Sequence, residues 1–193
     1  MRRVCVFCGS SPGRDPAYAE AARALARGLV SRGIGVVFGG GSIGLMGVLA
    51  DQALAVGGSV VGVIPHGLAA RELAHHGVAD MRVVATMHAR KALMAELADG
   101  FVALPGGIGT FEELLEIATW GQLGIHRKPI GILNVAGYYD PLVALLDHAV
   151  AEGFVSAANR GLLSVDDDPL RLLDRMAARE PPPTLSWITP EEA

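Results

Sequence analysis

Short apolar runs alternate along this chain with longer segments in which apolar residues recur every three or four positions. Uninterrupted apolar runs are typical of parallel strands covered on both faces, and the periodic segments predict amphipathic helices. The predicted strands fall at 3–9, 34–38, 59–64, 82–85, 100–103 and 129–135. Strands and helices therefore alternate, which predicts an α/β fold built on a parallel sheet.

Capping residues mark where the predicted helices begin and end. Asp15 and Pro16 suit the N-cap and the first position of a helix, and Gly33 suits the position after its end. Similar signals predict helices at 44–56, 87–98, 114–123, 140–152 and from 168 onward. This order predicts a single-domain, Rossmann-like, doubly wound parallel sheet with helices on both faces.

A glycine-rich turn joins the apolar run 100–103 to a helical pattern, and residues 104–113 read LPGGIGTFEE. Such a turn gathers free backbone N–H groups at the positive end of a helix dipole, which suits a phosphate. Two acids, Glu112 and Glu113, follow at once, although a site that only holds an anion has no use for them. The turn therefore indicates chemistry on a phosphorylated small molecule. A structural alternative stays open, because Thr110 and Glu113 also fit a capping box.

A second glycine-rich segment, 39–44, superficially has the spacing of the dinucleotide-binding fingerprint. That fingerprint belongs after the first strand of the fold, with an acidic residue about 20 positions further on. Here the segment follows the second predicted strand, and the acidic residue is missing. The sequence therefore disfavours NAD binding.

The composition narrows the class of protein. Hydrophobic residues make up 51% of the 193 residues and charged residues 19%, as in a globular chain. The formal net charge of −4 argues against a nucleic-acid surface. No apolar run reaches the length that spans a membrane, and the first run is too short for a signal peptide, so we expect a cytoplasmic protein. We expect one domain at 1–180, Rossmann-like, nucleotide-binding and catalytic, and a Pro-rich tail at 181–193.

The cysteines and histidines do not predict a metal site. Cys5 and Cys8 have the C-x-x-C spacing, but they lie in a strand-like run, where an offset of three points their side chains to opposite faces. We therefore expect buried structural cysteines and no metal. His75 and His76 read as an exposed loop pair.

Three motifs together resemble the LOG ("Lonely guy") family: residues 39–47 (GGGSIGLMG), 87–91 (MHARK) and 105–113 (PGGIGTFEE). These are cytokinin riboside 5′-monophosphate phosphoribohydrolases that are often mislabelled lysine decarboxylases. The resemblance runs from about residue 4 to residue 165. It implies hydrolysis of the N-glycosidic bond of an adenine-type nucleoside monophosphate to free base and ribose 5-phosphate. It also implies a homodimer or larger assembly and neither a metal nor an organic cofactor.

The resemblance also implies roles for particular residues. The family's catalytic arginine and glutamate fall on Arg90 and Glu113. The positions that match its substrate contacts are Glu72, Arg90, Lys91, Gly107, Ile108, Gly109, Thr110, Phe111, Glu112, Glu113 and Thr119. Ile108 stands where plant members often have tyrosine, which bears on substrate preference more than on the reaction.

The residue types agree with this chemistry. Cleavage of an N-glycosidic bond builds positive charge on the ribose, which a nearby carboxylate stabilises. Backbone amides of the 107–110 turn, with Arg90 or Lys91, can hold a 5′-phosphate. Structural alternatives stay open at four positions. Arg90 and Lys91 also fit a solvated helix face, Glu72 an ordinary loop carboxylate, and Thr119 a core threonine or one bonded back to its own helix. Glu116, one turn past Glu112, reads as a solvated partner.

Competing functions remain at this stage. A lysine decarboxylase needs pyridoxal phosphate on a lysine, and the chain has two lysines, Lys91 and Lys128. A non-catalytic nucleotide or cofactor carrier would bind phosphate in the same turn, but it has no need of Arg90 and Glu113. A nucleosidase that prefers AMP or another nucleoside monophosphate is a nearer alternative.

The apolar helix 114–123, which includes Trp120, predicts a dimer interface.

Overall fold

The computed structural model describes residues 1–69 and 73–179. The described chain forms one parallel sheet of seven strands. In chain order they are β1 (Arg3–Phe7), β2 (Gly35–Phe38), β3 (Val60–Pro65), β4 (Asp80–Val84), β5 (Gly100–Ala103), β6 (Ile130–Leu133) and β7 (Leu163–Asp166). The α/β fold with a parallel sheet is thus confirmed.

The order of the strands creates a switch point at the centre of the sheet. The sheet runs β4-β3-β2-β1-β5-β6-β7, so the chain builds outward from β1 in one direction and then restarts beside it with β5. Val4 of β1 pairs with Val36 on one side and Gly100 on the other. Ligands of such folds bind beyond the carboxyl ends of the strands at this point.

Helices cover both faces of the sheet. They are α1 (Pro16–Ser31), α2 (Gly44–Ala55), α3 (His66–Ala69), α4 (Met87–Leu97), α5 (Ile108–Leu123), α6 (Asp140–Ala151), α7 (Ala157–Arg160) and α8 (Pro169–Ala178), with a 3₁₀ turn at Val135–Gly137. Buried residues of α1, α2 and α8 pack on one face, and those of α4 and α5, with part of α6, pack on the other. The sheet is therefore doubly wound, as predicted.

The two cysteines lie in opposite layers of the core. Cys5 packs with the layer that contains α4 and α5, and Cys8 packs with the layer that contains α1 and α2. Both are free and buried, and burial raises the pKa of each thiol well above its ordinary value. They are structural cysteines, as the sequence predicted.

The structure corrects the sequence prediction at β7 and at His75. β7, at the edge of the sheet, was not predicted, because its few residues include the polar Ser164 and Asp166. His75 is buried, whereas the sequence placed it in an exposed pair with His76. The expected tail at 181–193 lies outside the described residues. No helix in the described ranges is long and apolar enough to cross a membrane.

Candidate active site

A cleft of about 410 Å³ opens at the carboxyl ends of the central strands. Its lining comes from the segments that follow β1, β2 and β5, from the end of β3 with α3, from Leu73 and from the start of α4. The polar side chains on its walls are those of Ser10, Arg90, Thr110, Glu112 and Glu113. The cleft therefore lies where a doubly wound fold binds its ligands.

The N-terminus of α5 presents free amides to this cleft. Gly107 is the N-cap residue, and within residues 1–69 and 73–179 no side chain caps the helix. The first amide with an acceptor inside the helix is that of Phe111, which donates to Gly107 O (3.1 Å). The N–H groups of residues 108–110 are those that every helix leaves without such an acceptor. With the helix dipole they form a site for an anion such as phosphate.

The structural alternative, in which Thr110 and Glu113 form a capping box, does not hold in the structure. α5 begins at Ile108, so Thr110 lies inside the first helical turn and cannot be its N-cap. A Cβ added at Gly106 would overlap the Thr110 hydroxyl, so glycine at that position lets the buried Thr110 side chain pack against the turn. The side chains of Thr110 and Glu113 therefore form no capping box, and both line the cleft.

The N-terminus of α2 differs from that of α5, although both follow glycine-rich segments. The amides of Leu45 and Met46 at the start of α2 donate to Gly9 O, at 2.9 and 3.4 Å. A backbone carbonyl therefore already occupies the place of an anion there. Of these two helix starts, that of α5 is the one open to a phosphate.

Arg90 is held in the cleft by main-chain carbonyls. It lies on α4, whose first turn is capped by Thr86, and it is only 9% exposed. Its Nε donates to Val63 O (3.2 Å) and its Nη2 to Gly39 O (3.5 Å). A Cβ added at Gly39 would overlap Nη2, so this position accepts only glycine while the guanidinium stays in place. The glycine-rich segment after β2 therefore provides both a hydrogen-bond acceptor and the space for the Arg90 guanidinium.

Glu113 completes a buried ion pair. Its Oε1 lies 3.3 Å from Arg90 Nη1, and both side chains are 10% exposed. Burial raises the pKa of Glu113 above its ordinary value, and the Arg90 charge offsets only part of this effect. A carboxylate and a guanidinium in a desolvated cleft beside an anion site can stabilise charge that develops on a bound phosphorylated molecule.

Lys91 points away from the cleft. Its Nζ forms ion pairs with Glu112 and with Glu116, the second at 2.9 Å. Although burial opposes it, hydrogen bonds to these two carboxylates hold the pKa of Lys91 above its ordinary value. Lys91 therefore fixes Glu112 at the edge of the cleft, and Arg90 rather than Lys91 lines the cleft. Glu116 is a partner of Lys91 rather than a solvated side chain.

Some of the remaining predicted substrate contacts line the cleft, and others do not. Gly107, Ile108 and Gly109 line the cleft, with Ile108 85% exposed at its rim. Phe111 instead stacks on Tyr138, with ring centroids 6.3 Å apart. Thr119 donates its hydroxyl to Leu115 O (2.7 Å), which is the back-bonded alternative, and it does not line the cleft.

Glu72 lies outside the described residues. For this reason its contact with substrate stays a prediction.

Several apolar residues of the cleft were not predicted. Ile43, Leu68 and Met87 line it while 48%, 36% and 44% exposed. Ile43 directly precedes α2, Leu68 lies in the four-residue helix α3, and Met87 is the first residue of α4. Exposed apolar residues at several helix starts are the signal that would have found them.

A lysine decarboxylase would need a lysine placed to carry pyridoxal phosphate. No lysine lines the described part of the cleft. Lys91 is held as an ammonium by two carboxylates, and Lys128 Nζ donates to Ala95 O (2.7 Å). Neither lysine is placed to form a Schiff base beside the anion site, so the decarboxylase alternative does not fit.

The fold and the cleft together are those of a Rossmann-like protein with room for a phosphorylated small molecule beside a buried arginine–glutamate pair. A family model described as "Possible lysine decarboxylase" matches residues 46–176, which is more than half of the chain. Relatives at about half identity over most of the chain carry the name LOG. The chain belongs to this family, the LOG family.

Two of these relatives are plant proteins. One, from Oryza sativa subsp. japonica, is described as a probable cytokinin riboside 5′-monophosphate phosphoribohydrolase. It is 53% identical over 95% of this chain and 74% of its own length. A cytokinin riboside 5′-monophosphate phosphoribohydrolase of Arabidopsis thaliana is 53% identical over 90% of this chain and 83% of its own.

Solved structures agree on the fold. The molybdenum cofactor carrier protein of Chlamydomonas reinhardtii matches with a TM-score of 0.69 and 20% identity, over 93% of this chain and 99% of its own. The molybdenum cofactor binding protein of Rippkaea orientalis matches with a TM-score of 0.70 and 17% identity, over 92% and 97%. At these identities the likeness establishes the fold and nothing about the ligand.

Proposed function

We propose that this chain is an enzyme that hydrolyses cytokinin riboside 5′-monophosphates, that is, N6-modified adenosine monophosphates, and also AMP. Water adds to C1′ of the ribose as the bond from C1′ to the base nitrogen breaks. The bonding electron pair and a proton go to the base, and ribose 5-phosphate is the second product. The observation that carries the proposal is the buried Arg90–Glu113 pair beside the open N-terminus of α5.

The open amides support recognition of the 5′-phosphate. The amides of residues 108–110 can each donate to a phosphate oxygen, and the helix dipole adds to the attraction. Binding energy from the phosphate can position the ribose, which does not itself carry a charge in the ground state. The turn therefore serves catalysis as well as affinity.

The ion pair supports the chemical step. An ionised Glu113 beside the ribose would stabilise the oxocarbenium-like charge and orient the attacking water. Arg90 keeps two carbonyl contacts, so its charge stays in place while Glu113 turns toward substrate. A fixed planar guanidinium can then donate to a ribose or phosphate oxygen.

The rim of the cleft supports an N6 substituent on the base. Ile43, Leu68, Met87 and Ile108 expose apolar surface around one opening, which an isoprenoid side chain would cover. A preference for an N6-prenylated nucleotide over AMP is the expected consequence.

The test is to incubate the protein with isopentenyladenosine 5′-monophosphate and to follow free base by chromatography. We expect the free base to accumulate over many turnovers. Nucleotide that stays bound and unchanged would favour the alternative function, a non-catalytic carrier. Release of base only from another nucleoside monophosphate would move the proposal to that substrate.

We also propose a cytoplasmic homodimer. Apolar side chains remain exposed at Leu115 on α5 (40%), at Leu145 on α6 (62%) and at Phe154 between α6 and α7 (87%), and a second copy would cover such a surface. Free cysteines support a reducing compartment. Light scattering at micromolar concentration is expected to give twice the chain mass, and a monomer mass would contradict the proposal.

A further inference from the structure

His75, which lies outside the cleft, hydrogen-bonds to the backbone segment that holds Arg90. The main-chain N–H of His75 donates to Gly40 O (2.9 Å). Gly40 directly follows Gly39, the residue whose carbonyl accepts from Arg90 Nη2 and whose missing Cβ leaves room for it. A shift of this backbone would therefore be felt by the guanidinium.

Residues 73–75 contact residues 40–42 along their whole length. Leu73 O accepts from both Ser42 N (2.9 Å) and Ser42 Oγ (3.2 Å), and Ala74 forms an antiparallel bridge with Gly41. Residues 73–75 thus run beside residues 40–42 like a short strand. They lend order to a glycine-rich segment that has little side-chain packing of its own.

The His75 imidazole fixes these three residues to the body of the protein. Its Nδ1 accepts from Gly77 N–H (3.1 Å), so the neutral ring carries its proton on Nε2. Nε2 then donates to Asp51 Oδ1 (3.0 Å) on α2. The ring also packs edge-on against Phe38 at the end of β2, with centroids 6.4 Å apart.

We propose that His75 and Asp51 form a positioning pair that sets the Arg90 guanidinium relative to Glu113, through residues 73–75 and 39–42. Neither side chain lines the cleft, and that of Asp51 is 74% exposed, so neither contacts the substrate. The effect of this pair on turnover rests on the proposed function, whereas its coupling to the backbone that holds Arg90 does not.

The first variant is Asp51→Ala, which removes an exposed carboxylate without opening the core. We expect kcat for isopentenyladenosine 5′-monophosphate to fall by about tenfold, because misplacing a reacting group by about 1 Å can cost up to about a hundredfold. The Kd of ribose 5-phosphate should change less than kcat, because the amides of α5 still hold the phosphate when Arg90 shifts. Asp51→Asn keeps an acceptor for Nε2 and should restore most of kcat.

His75→Asn provides a second route that spares the fold. An asparagine oxygen can still accept from the Gly77 amide, as in an Asx turn, while the link to Asp51 is lost. This variant and the double variant with Asp51→Ala should lose no more kcat than Asp51→Ala alone, because all three break one link. His76→Ala, at the exposed neighbouring histidine, is the matched control and should leave kcat unchanged.

Hydrogen exchange separates this inference from the proposed function. The amides of Ser42 and His75 should exchange faster in Asp51→Ala than in the parent, whether or not the parent turns over nucleotide. Faster exchange in a protein that releases no base would defeat the proposed function but retain the coupling. Unchanged exchange, or Asp51→Ala and His75→Asn with parental kcat and only a lower Tm, would overturn the inference.

Discussion

Replacing Glu113 by glutamine separates a catalytic charge from a structural side chain. The substitution keeps the size of the side chain and an oxygen that can face Arg90 Nη1, now 3.3 Å from Oε1. It removes the negative charge from a site that is 8% exposed. The fold, the phosphate-binding turn and the carbonyl contacts of Arg90 should all remain.

The magnitude follows from the burial of the pair. A full positive charge about 4 Å from a carboxylate gains about 4 kcal/mol at an effective dielectric constant of about 20. Since each 1.36 kcal/mol is about tenfold in rate, a full charge would correspond to about 10³. The transition state carries part of that charge, so we expect Glu113→Gln to lose about 10²–10³ in kcat.

We expect Glu113→Gln to leave the free energy of unfolding nearly unchanged or to raise it slightly, although it lowers kcat. The pKa of Glu113 is raised in the folded protein, mainly by burial, so the folded state binds a proton more readily than the unfolded chain. The ionised side chain therefore costs folding free energy at pH values above both pKa values. A neutral glutamine avoids that cost, and the variant should melt at or slightly above the Tm of the parent at pH 7.

The same shift predicts a pH profile. Activity that needs ionised Glu113 should rise with pH through a pKa above the ordinary glutamate value, as kcat/KM reports for the free enzyme. This rising limb should be missing from the residual activity of Glu113→Gln. Steady-state kinetics, nucleotide binding and thermal melts check the three expectations together. A variant with near-parental turnover would refute the catalytic role and return Glu113 to structure.

Further substitutions and substrates test the other parts of the site. Arg90→Lys should lose at least about tenfold in kcat, because one ammonium cannot reach both carbonyls and Glu113 in the planar arrangement of the guanidinium; Arg82→Lys, at an exposed arginine, is the control. Gly39→Ala should abolish turnover by displacing the guanidinium, whereas Gly67→Ala, with open space around its Cβ, should be silent in the same assay. Adenosine, which lacks the 5′-phosphate, should show a kcat/KM at least about a hundredfold below that of AMP; comparable values would count against the role of the α5 amides.

The sequence was sufficient to predict the sheet and its helices because their signals are local. Uninterrupted apolar strands, such as Val4 to Phe7, and capped helices, such as the one that opens at Asp15, require no tertiary information. β7 was missed because edge strands are short and partly polar, and it is the parallel pairing with β6 that defines it.

The site was predictable in its parts but not in its contacts. Thr110 and Glu113 lie on the stripe of α5 that faces the sheet, together with Leu114 and Ile117, and polar residues on such a stripe are a signal of function. Sequence alone could not separate a capping box from this arrangement, since both need the same residues at the same spacing.

Neighbouring residues can also have different roles that the sequence does not distinguish. Arg90 and Lys91 are adjacent, yet the helical rotation sends one into the cleft and the other to the carboxylates of α5. His75 and His76 differ in the same way, one buried against Asp51 and the other exposed. Such differences arise from tertiary packing rather than from local pattern.

The most direct test of the account is the stoichiometry of products from isopentenyladenosine 5′-monophosphate, measured in parallel for the parent and Glu113→Gln. We expect the parent to release one free base and one ribose 5-phosphate for each nucleotide consumed. We expect the variant to release both at least about a hundredfold more slowly, with nucleotide affinity retained. Intact nucleotide after incubation with the parent, or equal rates for parent and variant, would contradict it.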